Sequence, residues 1–171
     1  EVLSVDPIVV YIRGFATPID CSTILQSSSI MEWQRSSVRS EGTVVGKEID
    51  DRVRTSTTCW VNAGSDEAAT TVLQHLELKA CAAMELPRSH AENWQMARYE
   101  IGQQYKVHTD TVDEFNSLKC SGRVSTLILY LNDDFEGGCT TFPNLGIAPV
   151  KPEKGAALLF HNVMAPETEA Y

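Results

Sequence analysis

Two kinds of hydrophobic pattern divide the chain, with helical spacing mainly in its first half and strand-like runs mainly in its second. Residues 8–12 are a β-branched and aromatic run that predicts a strand, and a short helix is predicted over 17–25, with Asp20 available as its cap. A longer helix is predicted from Ser65 towards Pro87, because apolar residues recur there at helical spacing. These residues are Ala69, Val72, Leu73 and Leu76. Residues 36–51 are polar without clear periodicity, which indicates a loop or a ragged hairpin.

Beyond Pro87 the chain consists of short apolar runs separated by turn residues. The predicted strands are 94–101, 105–109, 124–131, 140–142, 147–150 and 156–161. Their spacing suits a small sandwich or barrel. The pattern therefore predicts one domain over 1–171, with a supporting region of helices and strands over 1–90 and a β core over 91–171.

Composition narrows the classes of function. The net charge of -9 argues against nucleic acid as a partner, because phosphate binding requires clustered Lys and Arg. No apolar run approaches the roughly 18 residues that a membrane-spanning helix needs. The five cysteines form no C-x-x-C pair, so we interpret them as buried or incidental thiols rather than as a zinc or redox motif.

A His-x-Asp sequence at the end of one predicted strand is the main candidate for chemistry. Side chains alternate between the two faces of a strand, so His108 and Asp110 are expected to point the same way. An imidazole and a carboxylate are two of the three ligands in the facial triad that holds non-haem Fe(II). The pair alone leaves open an ordinary hydrogen-bonded turn.

Three ordered blocks place this pair in a specific context. The first is Tyr-x-x-Gly-x-x-Tyr-x-x-His-x-Asp over 99–110, the second runs from Arg123 to Pro143 and contains Gly137-Gly138, and the third is the Lys-Pro-Glu-Lys-Gly-Ala-Ala-Leu-Leu-Phe-His-Asn run over 151–162. Together they resemble the prolyl 4-hydroxylase family of Fe(II)- and 2-oxoglutarate-dependent dioxygenases. Weaker matches at 54–56 and 92–95 extend the resemblance over about residues 54–163.

The resemblance implies a fold and a reaction. The expected fold is mainly β with flanking α-helices, built on a double-stranded β-helix, or jelly-roll, whose C-terminal strands are missing from the chain. The expected reaction is O2-dependent hydroxylation of a prolyl residue in a peptide or protein, which yields 4-hydroxyproline, succinate and CO2. The implied cofactor is Fe(II), with 2-oxoglutarate as cosubstrate and ascorbate as a candidate accessory.

The resemblance also implies a role for each matching residue. The iron ligands would be His108 and Asp110; the residues around 2-oxoglutarate would be Tyr99, Tyr130 and Thr140; and the residues contacting the peptide would be Arg54, Ser56, Glu92 and Arg123. A phenol suits a carboxylate because its hydroxyl donates while its ring provides an apolar wall. The alternatives remain core packing for the tyrosines and the threonine, and surface ion pairs for the charged residues.

The chain departs from the family pattern at its end. The family's second iron-ligating His, and the Lys that pairs with 2-oxoglutarate, are expected beyond Tyr171. His161 is a weaker candidate for that ligand, because it lies on the preceding strand. Cys139 stands where the family often has Glu, and the sequence offers no functional account of the change.

Other functions remain open at this stage. The domain could be a catalytically inactive peptide binder, a hydroxylase of a different amino-acid side chain, or a cysteine-dependent hydrolase that uses Cys59 or Cys139. The hydrolase would draw its base from His75, His90 or His161. The exact substrate and the oligomeric state are not determined by the sequence, and the compartment is expected to be either the secretory pathway or the bacterial cytoplasm.

Overall fold

A computed structural model describes residues 1–36, 53–61, 66–110 and 123–162. Its elements in chain order are β1 (Val2–Val5), β2 (Ile8–Ile12), α1 (Pro18–Ser27), β3 (Gln34–Arg35), β4 (Thr57–Trp60), α2 (Glu67–Met84), β5 (Gln95–Arg98), β6 (Ser125–Leu129) and β7 (Ala157–His161), with short 3-10 helices at Ser28–Ile30 and Arg88–His90. The chain divides into two compact units, one from Glu1–Cys21 with Thr109–Tyr171 and one from Ser22–His108.

The first unit is built on a four-stranded antiparallel sheet in the order β1-β2-β7-β6. Leu158 of β7 lies opposite Tyr11 of β2 on one side and opposite Ile128 of β6 on the other. Its neighbours on β7, Ala157 and Leu159, are also buried, so this apolar run is the central strand of the sheet. The core therefore depends on pairing between the first and last parts of the described chain.

The second unit combines a three-stranded antiparallel sheet, in the order β3-β4-β5, with α2. The Asp66 side chain caps α2 by accepting a hydrogen bond from the Ala69 backbone N–H at 3.0 Å. The residue after the helix, Glu85, is its C-cap and has a left-handed φ of 54°. Its buried stripe consists of Ala69, Leu73, Leu76 and Ala80, which confirms the predicted helix. No helix within the described ranges is long and apolar enough to cross a membrane.

Four of the seven predicted strands are observed in full or in part, and the one over 94–101 contains β5. The predicted strand over 8–12 is observed in full, and those over 124–131 and 156–161 contain β6 and β7. The predicted strand over 105–109 is wrong, because among the described residues only Tyr105 has a bridge partner there, Arg54. The strands predicted over 140–142 and 147–150 reduce to one bridge between Thr140 and Val150.

Three strands and one loop complete the comparison with the sequence pattern. The sequence pattern did not predict β1, β3 and β4. Of these, β3 has two residues, and β4 reads Thr-Thr-Cys-Trp, so neither carries a long apolar alternation. All but the first residue of the predicted loop over 36–51 lies outside the described residues. The prediction of a single domain stays a prediction.

Candidate functional site

His108 is held in one ring orientation by its own segment. Its Nδ1 lies 2.7 Å from the Lys106 carbonyl oxygen. A carbonyl can only accept, so this hydrogen bond places the proton on Nδ1. The lone pair of the exposed imidazole is therefore on Nε2, and a carbonyl-bound Nδ1–H is the arrangement that metal-ligating histidines commonly show.

A stack of aromatic and cationic groups supports the same imidazole. The Tyr105 ring stacks on His108 with centroids 3.5 Å apart and an interplanar angle of 11°. The Arg54 guanidinium carbon lies 4.7 Å from the centroid of the Tyr105 ring, and one terminal nitrogen donates to Gln95 Oε1 at 3.4 Å. The Arg54 Nε is buried without a hydrogen-bond partner among the described residues. Arg54 is thus part of the packing behind His108.

Asp110 belongs to the first unit and is held by a side chain of β6. The Thr126 hydroxyl donates to Asp110 Oδ2 at 2.6 Å. Thr126 in turn accepts a hydrogen bond from the Asn162 side-chain amide at 2.9 Å. A short relay of hydrogen bonds thus joins Asn162, Thr126 and Asp110.

Tyr130 and Thr140, the two residues of the first unit predicted to contact 2-oxoglutarate, are hydrogen-bonded to each other. Their side-chain oxygens lie 2.8 Å apart, and either can donate. The bridge to Val150 fixes the backbone of Thr140 through reciprocal hydrogen bonds of 3.0 and 2.8 Å. Burial raises the pKa of Tyr130 to about 12, although the hydrogen bond to Thr140 acts in the opposite direction. The phenol is neutral at physiological pH.

This raised pKa gives a testable prediction for Tyr130. Because its folded pKa of about 12 exceeds the ordinary value of 10.0, the unfolded chain loses this proton first, so stability falls as the pH rises from 10 to 12. An ultraviolet titration of phenolate absorbance should show a component near 12 that Tyr130→Phe removes and Tyr99→Phe leaves in place. Persistence of that component in Tyr130→Phe would contradict the assignment.

The other predicted site residues occupy varied environments. Tyr99 follows β5 and is 46% exposed. Ser56 is fully buried, with its hydroxyl 2.8 Å from that of Ser36. Glu92 and Arg123 are exposed, and the Arg123 backbone carbonyl accepts a hydrogen bond from the Asn162 amide at 3.0 Å. The burial of Ser56 disfavours its direct contact with a peptide. The roles of Tyr99, Ser56, Glu92 and Arg123 stay predictions.

Three residues that the sequence pattern did not single out take part in the contacts described for His108 and for Asp110. Tyr105 lies inside the first sequence block, Thr126 inside the second, and Asn162 ends the third. Their positions in these blocks were the only available signal. Nothing in the sequence showed that Tyr105 stacks on His108, that Thr126 donates to Asp110, or that Asn162 donates to Thr126.

The cysteine-dependent alternative is disfavoured by the environment of Cys59. This side chain is buried, and its Sγ lies 3.6 Å from Met31 Sδ. Burial raises the pKa of the Cys59 thiol, which opposes formation of a nucleophilic thiolate. Cys139 is exposed. Within the described ranges, no group of three or more His, Cys, Asp or Glu side chains is placed to hold a metal. His161 is therefore not part of such a group there.

Comparison with known proteins identifies relatives at the level of sequence. Residues 94–167 match the model of the 2OG-Fe(II) oxygenase superfamily. Probable prolyl 4-hydroxylase 9 of Arabidopsis thaliana is 34% identical over 95% of the chain and 60% of its own length. Prolyl 4-hydroxylase 5 of the same organism is 32% identical over 95% of the chain and 60% of its own length. The chain thus spans about 60% of the length of these curated relatives.

Solved structures show the same fold. The viral collagen prolyl hydroxylase of Paramecium Bursaria Chlorella virus-1, in its 2OG complex, has a TM-score of 0.60 at 24% identity, covering 90% of this chain and 77% of its own. A Pseudomonas putida prolyl-4-hydroxylase has a TM-score of 0.61 at 18% identity, covering 91% and 81%. These similarities confirm the predicted fold, a double-stranded β-helix with flanking helices.

Proposed function

We infer that the chain belongs to the prolyl 4-hydroxylase family of 2OG-Fe(II) oxygenases, and from this premise we propose that the full-length protein hydroxylates prolyl residues of a peptide or protein substrate. One atom of O2 would enter the prolyl side chain as the 4-hydroxyl group. The other would enter succinate as 2-oxoglutarate loses CO2. Fe(II) is the implied cofactor and 2-oxoglutarate the cosubstrate.

The observation that carries the proposal is that hydrogen bonds orient the side chains of both His108 and Asp110. The Lys106 carbonyl holds Nδ1–H of His108, so Nε2 is the nitrogen with a lone pair. The Thr126 hydroxyl holds one oxygen of Asp110. A neutral imidazole and an ionised carboxylate fit Fe(II), and the bound metal would supply the oxygen chemistry.

Tyr130 and Thr140 are proposed to bind 2-oxoglutarate. A phenol with a pKa of about 12 keeps its proton at physiological pH, so its hydroxyl can donate a hydrogen bond to a carboxylate. Phe142 and Phe160 pack edge to face near the same core, with centroids 5.1 Å apart, and provide an apolar surrounding. Such surroundings exclude water and strengthen the polar contacts. Tyr99 is proposed as a third contact.

Arg54, Ser56, Glu92 and Arg123 are proposed to act on the peptide, directly or through their neighbours. Arg123 is exposed at the start of β6, where a planar guanidinium can hold peptide carbonyls. Arg54 lies against Tyr105, so its effect on the peptide would be transmitted through that ring. A Trichoplax adhaerens prolyl hydroxylase with a TM-score of 0.61 and 19% identity was solved with a peptide fragment, which supports a peptide substrate for this fold.

The proposal is tested by turnover of the full-length protein. Purified protein is supplied with Fe(II), 2-oxoglutarate, O2 and ascorbate, and with proline-containing peptides or the same peptides carrying alanine in place of proline. We expect succinate formation to depend on the proline peptides, and mass spectrometry to find one added oxygen atom on proline. Peptide binding without succinate would favour the inactive peptide binder, and oxygen on another residue would favour a different hydroxylase.

A further inference from the structure

We propose that Tyr11 is a positioning residue for 2-oxoglutarate, because its ring holds Tyr130 in the orientation in which the Tyr130 hydroxyl meets Thr140. The inference rests on the proposed function, since it concerns the residues assigned there to the cosubstrate. The sequence blocks that carry the family resemblance begin well after Tyr11, so none of them gives it a role. Tyr11 acts through Tyr130 and is assigned no contact with the cosubstrate itself.

The two tyrosine rings pack against each other inside the first unit. Their centroids lie 6.4 Å apart at an interplanar angle of 43°, within the range of distances at which aromatic rings attract each other. Tyr11 is buried in the core cluster of this unit, and Tyr130 packs against that cluster. The ring of Tyr11 therefore restricts rotation of the Tyr130 ring on that side.

Tyr11 is itself held at both ends of its side chain. Its backbone lies on β2, opposite Leu158 of the central strand β7. Its hydroxyl donates to the Lys151 carbonyl at 3.2 Å, which fixes the far end of the side chain. The Arg13 guanidinium carbon lies over the same ring, 5.1 Å from its centroid. A ring held in this way is a fixed wall for its neighbour.

Tyr130 is held by its backbone and by its hydroxyl. Its N–H donates to the Ala156 carbonyl at 3.0 Å, and its carbonyl accepts from the Gly155 N–H at 2.8 Å. Its hydroxyl oxygen lies 2.8 Å from that of Thr140. The contact with Tyr11 adds a support at the side of the ring, between these two points.

The two tyrosine hydroxyls meet neighbouring parts of one backbone bridge. Thr140, the partner of Tyr130, exchanges two backbone hydrogen bonds with Val150. The carbonyl of the next residue, Lys151, accepts from the Tyr11 hydroxyl. The contacts therefore form a closed circuit from Tyr11 through Tyr130, Thr140, Val150 and Lys151 back to Tyr11. Because the circuit is closed, loss of the Tyr11 ring is expected to loosen the pair of hydroxyls that it supports.

The consequence is a hydrogen-bond donor that is in position before the cosubstrate arrives. A ligand binds more tightly when the protein groups that contact it are already ordered, because less conformational freedom is lost on binding. The expected effect of Tyr11 is therefore on affinity for 2-oxoglutarate.

The test measures binding of 2-oxoglutarate to the full-length protein without turnover. Affinity is determined by calorimetry on the Fe(II)-loaded protein under anaerobic conditions. Tyr11→Leu removes the ring, and we expect the affinity to fall about 3- to 10-fold, a range that corresponds to the free energy of one aromatic pair. Tyr11→Phe keeps the ring and should stay within about twofold of the wild type.

A second measurement needs neither iron nor 2-oxoglutarate. Burial holds the pKa of Tyr130 at about 12, above the ordinary value of 10.0. Removal of the Tyr11 ring should admit water beside Tyr130. In Tyr11→Leu the component of phenolate absorbance near 12 is therefore expected to move down towards 10.0, while Tyr11→Phe should retain most of the shift.

A double-mutant cycle shows whether Tyr11 acts through Tyr130. In a Tyr130→Phe background the positioned hydroxyl is absent, so adding Tyr11→Leu should weaken 2-oxoglutarate binding by less than about twofold further. Leu76→Ala is the control for general stability, because it truncates a fully buried side chain of α2 in the second unit. It should lower the melting temperature and change neither the affinity nor the titration near 12.

Any of three results would overturn the assignment. They are wild-type affinity for 2-oxoglutarate in folded Tyr11→Leu, an unchanged titration component in that variant, and an equal loss of affinity with and without the Tyr130 hydroxyl. If Tyr11→Leu does not fold, Tyr11→Met, which keeps more of the volume without the ring, is measured in its place. Failure of the proposed function is distinct, because it would appear as wild-type protein that hydroxylates no peptide, while the titration of Tyr130 still responds to Tyr11→Leu.

Discussion

Asp110→Asn in the full-length protein is expected to abolish peptide-dependent succinate formation, with a loss on the order of 1,000-fold or more. The substitution keeps the size of the side chain but replaces an anionic oxygen ligand with a neutral amide. A loss of this size corresponds to about 4 kcal/mol of transition-state stabilisation, in the range expected when a metal centre no longer supports the reaction. Succinate release at saturating 2-oxoglutarate and Fe(II) is the measurement.

Glu136→Gln is the matched control for Asp110→Asn. It makes the same carboxylate-to-amide change at an exposed residue outside the proposed site. Its activity should equal that of the wild type within about twofold, because isolated surface substitutions cost little. Wild-type succinate formation by Asp110→Asn, with Fe(II) still required, would contradict the assignment of Asp110 as an iron ligand.

Gly155→Ala is expected to cost about 3 kcal/mol or more of unfolding free energy. Gly155 has a φ of +81°, and a methyl group there would collide with the backbone carbonyl oxygen of Ala16. That approach is fixed, since the Ala16 N–H donates to the Gly155 carbonyl at 2.9 Å. The substitution combines left-handed backbone strain with displacement of paired backbone, and the two costs add. Urea denaturation followed by circular dichroism measures the loss.

Gly137→Ala isolates the first of these two costs. Gly137 has a φ of +80°, nearly the same as Gly155, but nothing lies within 4 Å of an added methyl group. We expect a loss of about 1 kcal/mol from backbone strain alone. Similar losses in the two alanine variants would show that the contact with Ala16 is not close enough to matter.

The elements that the sequence predicted well are those that bury a regular apolar stripe. The helix α2 buries Leu73 and Leu76 on one face, and β7 begins with four consecutive apolar residues, of which the first three are buried. Both arrangements leave a mark that periodicity detects. The short strands β3 and β4 leave no such mark, because they gain their stability from pairing with a distant neighbour rather than from a long apolar face.

In the candidate site, too, local features could be predicted from the sequence and long-range contacts could not. The spacing of His108 and Asp110 could be read directly, since both lie on one short segment. The link between Asp110 and Thr126 joins residues 16 positions apart, and that between Thr126 and Asn162 joins residues 36 apart. The contact between Thr126 and Asn162 depends on the register of β6 against β7. Ser56 likewise meets Ser36 through the pairing of β3 with β4, which no local pattern encodes.

The position of β7 between β2 and β6 has a consequence for biosynthesis. A ribosome completes Tyr11 long before Leu158, although the two are paired in the finished sheet. At about 5–20 residues per second, that interval lasts roughly 7–30 s. During it, the edge of β2 that pairs with β7 lacks its native neighbour, and an unpaired strand edge can pair with other segments. Slow translation of the residues before β7 would therefore prolong the time for which β2 is unpaired.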